Sequence, residues 1–160
     1  MKKIKGLHYF IIAIIIIYCI NFIMGIFWTI SPPDFLNFGE KHYEQFILGY
    51  YTQFVGSIFS LITFIGLFFL KQSLYLIIKK GFFNDKSSIK LTIAGRLILI
   101  SGLLSLIWDF VLLIYSNGEI VFISIILSDV LQILIGFGLL IIVDFITNGN
   151  VLQQENNLTI

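Results

Sequence analysis

Two aspartates, Asp109 and Asp129, stand inside segments that are otherwise almost entirely apolar, within the sequences "LIWDF" and "ILSDV". A carboxyl group near the centre of a bilayer costs about 2.5 to 3.5 kcal/mol on insertion scales, so it requires a partner, a proton or water. Such a pair can bind a proton, a cation or a small ligand, or it can hydrogen-bond neutral side chains and hold helices together. The sequence leaves both interpretations open.

Helical spacing gives each apolar segment one stripe of small or polar side chains. From the first segment to the fourth, the polar members include Asn21, then Ser60 and Thr63, then Ser101, Ser105 and Asp109, and finally Ser124, Ser128, Gln132 and the adjacent Asp129. Transmembrane helices approach each other closely along such stripes. We therefore expect these faces to point into a bundle.

The helical rise places Asn21, Asp109 and Asp129 about 9 to 14 Å below the outer surface, with serines of the second segment near the same level. We predict a buried polar cluster made of Asn21, Ser57, Ser60, Asp109, Asp129 and Gln132. No Lys, Arg or His falls at that depth in the sequence. If the aspartates are neighbours, repulsion and desolvation disfavour two charges, and at least one carboxyl should carry a proton at neutral pH.

The elements that position these residues follow from composition. The chain has 160 residues, of which 58% are hydrophobic and 12% charged, whereas soluble domains are about 45 to 50% apolar and about 25% charged. Crossing about 30 Å of hydrocarbon takes about 20 apolar residues, and four segments qualify, over about 8–30, 49–70, 93–115 and 120–145. The sequence "SNGE" at 116–119 predicts a turn between the last two. The expected fold is a single all-α domain, a polytopic four-transmembrane-helix bundle.

The basic residues indicate its orientation. Nine cationic residues fall on one side of the four segments, and Lys41 alone falls on the other: the nine are Lys2, Lys3, Lys5, Lys71, Lys79, Lys80, Lys86, Lys90 and Arg96. The positive-inside rule then places both termini in the cytoplasm. A net charge of +1 without a basic groove argues against direct nucleic-acid binding.

The inner loop, "KKGFFNDKSSIKLTIAG" at 79–95, predicts a break at Gly81, an N-cap at Asn84 or Asp85, and a short amphipathic helix at the membrane surface. Lys79, Lys80, Lys86 and Lys90 would contact either anionic lipid or a soluble cytoplasmic partner. The tail after Asp144 is polar and has no Lys or Arg. The sequence does not choose between the two kinds of contact.

The four spans, the Gly81, Phe83 and Asn84 stretch, Gly95 and the terminal "LQQENNLTI" together resemble an uncharacterised bacterial membrane family, domain of unknown function 2975. The resemblance covers nearly the whole chain. It implies a small, multi-pass protein of the bacterial inner membrane, often encoded beside a small helix-turn-helix regulator. Asn157 stands where an acidic residue is expected in that family, so the resemblance supports no role for a terminal carboxylate.

We expect no enzyme here, and neither a catalytic residue, a metal nor a cofactor. The aspartates lack the Gly-x-Gly-Asp context of intramembrane proteases, and there is no H-E-x-x-H or phosphate-binding glycine loop. The leading interpretation is a regulatory or interaction protein whose cytoplasmic face binds a soluble partner such as a helix-turn-helix regulator. The alternative is an oligomeric proton, ion or small-molecule transporter or channel that uses Asp109 and Asp129.

Overall fold

The computed structural model describes residues 2–30, 52–115 and 123–158, and these form four α-helices with no strand among them. The helices are α1 (Lys2–Ile30), α2 (Thr52–Lys80), α3 (Asp85–Tyr115) and α4 (Ile123–Leu158). All four are long and apolar enough to cross a membrane. The predictions of an all-α fold and of four helices long and apolar enough to span a membrane are confirmed for the described residues. The predicted turn at 116–119 lies outside them.

Every helix extends beyond its predicted span at the lysine-rich end of the bundle. α4, for example, has 36 residues and is about 54 Å long at the standard rise. This exceeds the roughly 30 Å of a hydrocarbon core. The length of an apolar segment matches the thickness of the membrane. The helix itself continues beyond that segment where it packs against neighbouring helices. The ends of α2, α3 and α4 therefore form a structured extension.

The inner loop is a four-residue turn. Gly81 adopts a φ of +96°, which suits glycine, and its N–H donates to the carbonyl of Ile77 at 3.0 Å. Asn84 caps α3, because its Oδ1 accepts from the N–H of Lys86 at 2.9 Å. Residues 85–92 are simply the first turns of α3. The prediction of a separate short interfacial helix is therefore corrected, since the cap at Asn84 starts one helix that is continuous to Tyr115.

The helices pack in chain order, with α3 between α2 and α4 and with α1 against α2. The core repeats at helical spacing on α2, with Leu67, Leu70, Leu74 and Ile77, and it continues on the facing side of α3. Among the described residues of α1, Ile11 is the one whose side chain is buried in this core. Most of α1 is therefore left for lipid.

Glycines set the distance between α3 and α4. A Cβ on Gly136 would lie 2.7 Å from the backbone nitrogen of Leu99 and 2.8 Å from its Cα. Gly102 is similarly close, since its Cβ would lie 3.2 Å from the backbone nitrogen of Ile133. Lipid is as apolar as the helices, so helix association depends on such close contacts more than on hydrophobic burial.

Candidate functional site

Three polar side chains from three helices form a hydrogen-bonded set, here called the Thr63 network. The hydroxyl groups of Thr63 and Ser101 lie 2.7 Å apart, and Ser101 Oγ also donates to the carbonyl of Phe59 at 2.8 Å. Gln132 Nε2 donates to Thr63 Oγ1 at 2.9 Å and to the carbonyl of Ile98 at 3.4 Å. Thr63 and Ser101 are 7% and 1% exposed. The network joins α2, α3 and α4 inside the bundle.

The turn at 81–84 brings Thr63 opposite Ser101. The two residues lie almost equally far along the chain from this tight turn, one before it and the other after it. Antiparallel helices joined by a short loop bring such residues to the same level. The predicted cluster omitted both residues, although each had been placed on a polar stripe. Counting residues outward from the inner turn would have identified them.

Asp109 of α3 and Asp129 of α4 form a second polar group, here called the aspartate pair. The two side chains lie within hydrogen-bonding reach of each other. Side chains of a helix tilt towards its N-terminus. On two antiparallel helices, side chains that start at different levels can therefore tilt towards each other and meet. Asp129 is 5% exposed and Asp109 is half-buried. The structure thus brings together the two acidic residues that first indicated a site.

Each member of the aspartate pair keeps one oxygen without a donor. Oδ2 of Asp109 and Oδ2 of Asp129 are both buried and have no hydrogen-bond partner among the described residues. Two charges about 4 Å apart repel by about 4 kcal/mol at an effective dielectric constant of about 20. Arg96 is the cationic residue of α3 that comes nearest to Asp109 along the helix, and the helical rise places it about 20 Å away. One shared proton would remove the repulsion and make one carboxyl a donor to the other.

The other members of the predicted cluster divide between these groups and the surface. Gln132 belongs to the Thr63 network, one helical turn from Asp129. Ser57 and Ser60 are half-buried on α2. Asn21 is exposed on α1, and its inclusion in a buried cluster is therefore corrected. The physical reason is that α1 packs mainly against α2 and much less closely than α2, α3 and α4 pack on one another, so its polar stripe stays at the surface.

The ends of α2, α3 and α4 at the lysine-rich end of the bundle, residues 73–92 and 143–156, form a hydrogen-bonded unit here called the cationic platform. Ser73 Oγ donates to the carbonyl of Ser87 at 2.8 Å, and the hydroxyls of Ser88 and Thr147 lie 3.0 Å apart. Two further contacts join α4 to the α2–α3 turn and to the start of α3: the Phe83 ring of the turn lies against Gly149, and the Asn150 amide donates to Asp85.

The platform carries the predicted contact lysines. Lys79, Lys80 and Lys86 are exposed, and Lys90 is half-buried with its Nζ 4.8 Å from the centroid of the Phe69 ring. Phe82 and Phe83 are also exposed, at 42% and 45%. The platform thus combines positive charge with exposed aromatic rings on a hydrogen-bonded base.

No family model matches this chain, and no curated protein or solved structure matches it either. The resemblance to the bacterial membrane family stays a prediction.

Proposed function

We propose that this chain is a multi-pass regulatory protein of the bacterial cytoplasmic membrane, with both termini in the cytoplasm, whose cytoplasmic platform binds a soluble partner. The observation that supports the proposal is the bonded structure of the platform. A surface whose helices are already fixed to one another loses little conformational entropy when a partner binds. The exposed lysines fit a partner with an acidic surface, and the exposed phenylalanines fit an apolar pocket on it.

A small helix-turn-helix transcription regulator is the partner we propose, from the family resemblance. The DNA-reading face of such a protein is basic. The exposed lysines of the platform would repel that face, so the platform would bind a different face of the regulator. Membrane attachment would then act by withdrawing the regulator from the chromosome or by responding to the state of the bundle.

The test is a quantitative pull-down from membranes under cross-linking. The triple variant Lys79→Gln, Lys80→Gln, Lys86→Gln removes three charges from the platform. The matched control, Lys2→Gln, Lys3→Gln, Lys5→Gln, removes three exposed charges from α1 at the same end. Protease protection checks that both variants keep the wild-type orientation.

We expect recovery of a small DNA-binding protein to fall at least about tenfold with the platform variant and to be unchanged with the α1 variant. Unchanged recovery with the platform variant would contradict the proposal. Equal loss with both variants would indicate general charge attraction, which also contradicts it.

A second candidate function is proton or cation transport, and the aspartate pair favours it. Two buried carboxyl oxygens that have no donor among the described residues are costly in an apolar bundle unless they exchange protons or bind a cation. Reconstituted vesicles test this directly, with Asp109→Asn and Asp129→Asn compared with Asp144→Asn, whose side chain is exposed on the same helix as Asp129. Flux that is abolished by the first two and unaffected by the third supports transport. Absent flux, or flux indifferent to all three, excludes it.

A further inference from the structure

A cavity of about 630 Å³ lies between the lysine-rich ends of α1, α2 and α3. It is separate from both the aspartate pair and the Thr63 network. Its wall is mainly apolar and includes a few polar side chains. The lining residues are His8, Lys71, Gln72, Tyr75, Leu76 and Lys90.

The cavity has two cationic groups that pair with no carboxylate among the described residues. Lys71 Nζ lies 5.5 Å from the centroid of the Phe68 ring, and Lys90 Nζ lies 4.8 Å from that of Phe69. Such rings hold an ammonium group in place by attraction to their faces but do not neutralise it. Neither lysine forms an ion pair with a carboxylate in the described part of the chain. The positive charge of the cavity is therefore uncompensated.

His8, Gln72 and Tyr75 are the other polar side chains of the wall. His8 Nδ1 is buried and has no hydrogen-bond partner among the described residues. The His8 and Tyr75 rings are neighbours, with centroids 6.3 Å apart. His8, Tyr75 and Gln72 thus provide hydrogen-bond donors in addition to the two ammonium groups. The cavity therefore has the chemistry of an anion site.

The surroundings indicate where the anion comes from. The side chains that flank His8 on α1 include Leu7 and Phe10, which are exposed and apolar, as expected for a surface that faces lipid. Leu76 gives the wall itself an apolar side. Basic side chains at this boundary attract the anionic head groups of the cytoplasmic leaflet. A free anion would gain nothing from the apolar wall, whereas a lipid can place its acyl chains beside α1.

We propose that this cavity binds one anionic phospholipid, with its head-group phosphate held between Lys71 and Lys90 and hydrogen-bonded by His8 and Tyr75. The lipid would fill the space between α1 and the α2–α3 pair. This would join the loosely packed α1 to the rest of the bundle. The inference does not depend on either proposed function.

Native mass spectrometry of the full chain tests the proposal, with phosphatidylglycerol and phosphatidylcholine supplied in equal amounts. The wild-type chain should retain one phosphatidylglycerol at least about tenfold in preference to phosphatidylcholine, given that each basic contact contributes on the order of a fivefold gain. Lys71→Gln, Lys90→Gln should abolish this preference. The control Lys2→Gln, Lys3→Gln removes the same charge from exposed positions of α1 outside the cavity and should preserve it.

Three results would overturn the proposal. The first is a wild-type chain without preference for the anionic lipid, a result that needs no variant to fold. The second is an equal loss of lipid preference in the control variant, which would mean that anionic lipid is attracted to the basic end of the bundle as a whole. The third is full displacement of the lipid by inorganic phosphate at millimolar concentration, which would identify a site for a free anion.

Discussion

The Thr63 network and the aspartate pair are both polar groups inside an apolar bundle, yet they differ in how their polar atoms are paired. In the network, the hydroxyls and the Gln132 amide all reach partners within 3.4 Å, including two backbone carbonyls. In the pair, two buried carboxyl oxygens have no donor among the described residues. The groups lie one helical turn apart on α4.

The difference separates two uses of polar residues in membranes. A hydrogen-bonded set of hydroxyl and amide groups links helices and needs no further function to explain it. Carboxyl groups that can only accept, and that face each other, need a proton or a cation from elsewhere. On this basis the network is structural, and the aspartate pair is the candidate for chemistry.

The largest expected effect comes from separating α3 and α4, on whose contact both groups depend. A leucine at Gly136 would overlap the backbone of Leu99, and we expect Gly136→Leu to lower the unfolding free energy by about 3 kcal/mol. Titration with sodium dodecyl sulfate, followed by circular dichroism, measures this. Gly138→Leu is the control, because nothing lies within 4 Å of its Cβ position. Equal losses for the two variants would show that the close approach is not what holds these helices together.

A smaller loss of unfolding free energy is expected when the Thr63 network is broken. Gln132→Leu removes the donor to Thr63 and to the carbonyl of Ile98, and it should cost about 0.6 to 1.7 kcal/mol in the same titration. Gln153→Leu, at an exposed position of α4, should change the unfolding free energy by less than about 0.5 kcal/mol. A neutral Gln132→Leu would mean that the network contributes no stability.

The smallest expected effect is a gain in unfolding free energy, and it sharpens the contrast between the aspartate pair and the Thr63 network. Asp109→Asn gives the pair an N–H donor for a carboxyl oxygen of Asp129, so the unfolding free energy should be unchanged or higher, by up to about 1 kcal/mol. Asp144→Asn, which alters an exposed residue, serves as the control. A loss as large as that of Gln132→Leu would place the aspartate pair with the structural network.

The candidate site was only partly predictable. The aspartates and Gln132 were recognised because polar residues in apolar segments are conspicuous. Thr63 and Ser101 were omitted because depth was counted from the outer ends of the spans. The register is instead fixed at the inner turn, where Gly81 and Asn84 close a four-residue loop. Asn21 was included because depth alone does not tell which neighbour a helix contacts.

Composition by itself determined the membrane class, the number of helices and the concentration of basic residues at one end. These properties follow from the free-energy cost of placing charged groups and unpaired backbone groups in lipid. That cost applies to each segment independently of the others. The tertiary structure decided which polar side chains meet, because that depends on the turn at 81–84 and on the close contact of Gly136 with Leu99. Such contacts join residues far apart in the chain, and no single segment contains the information that fixes them.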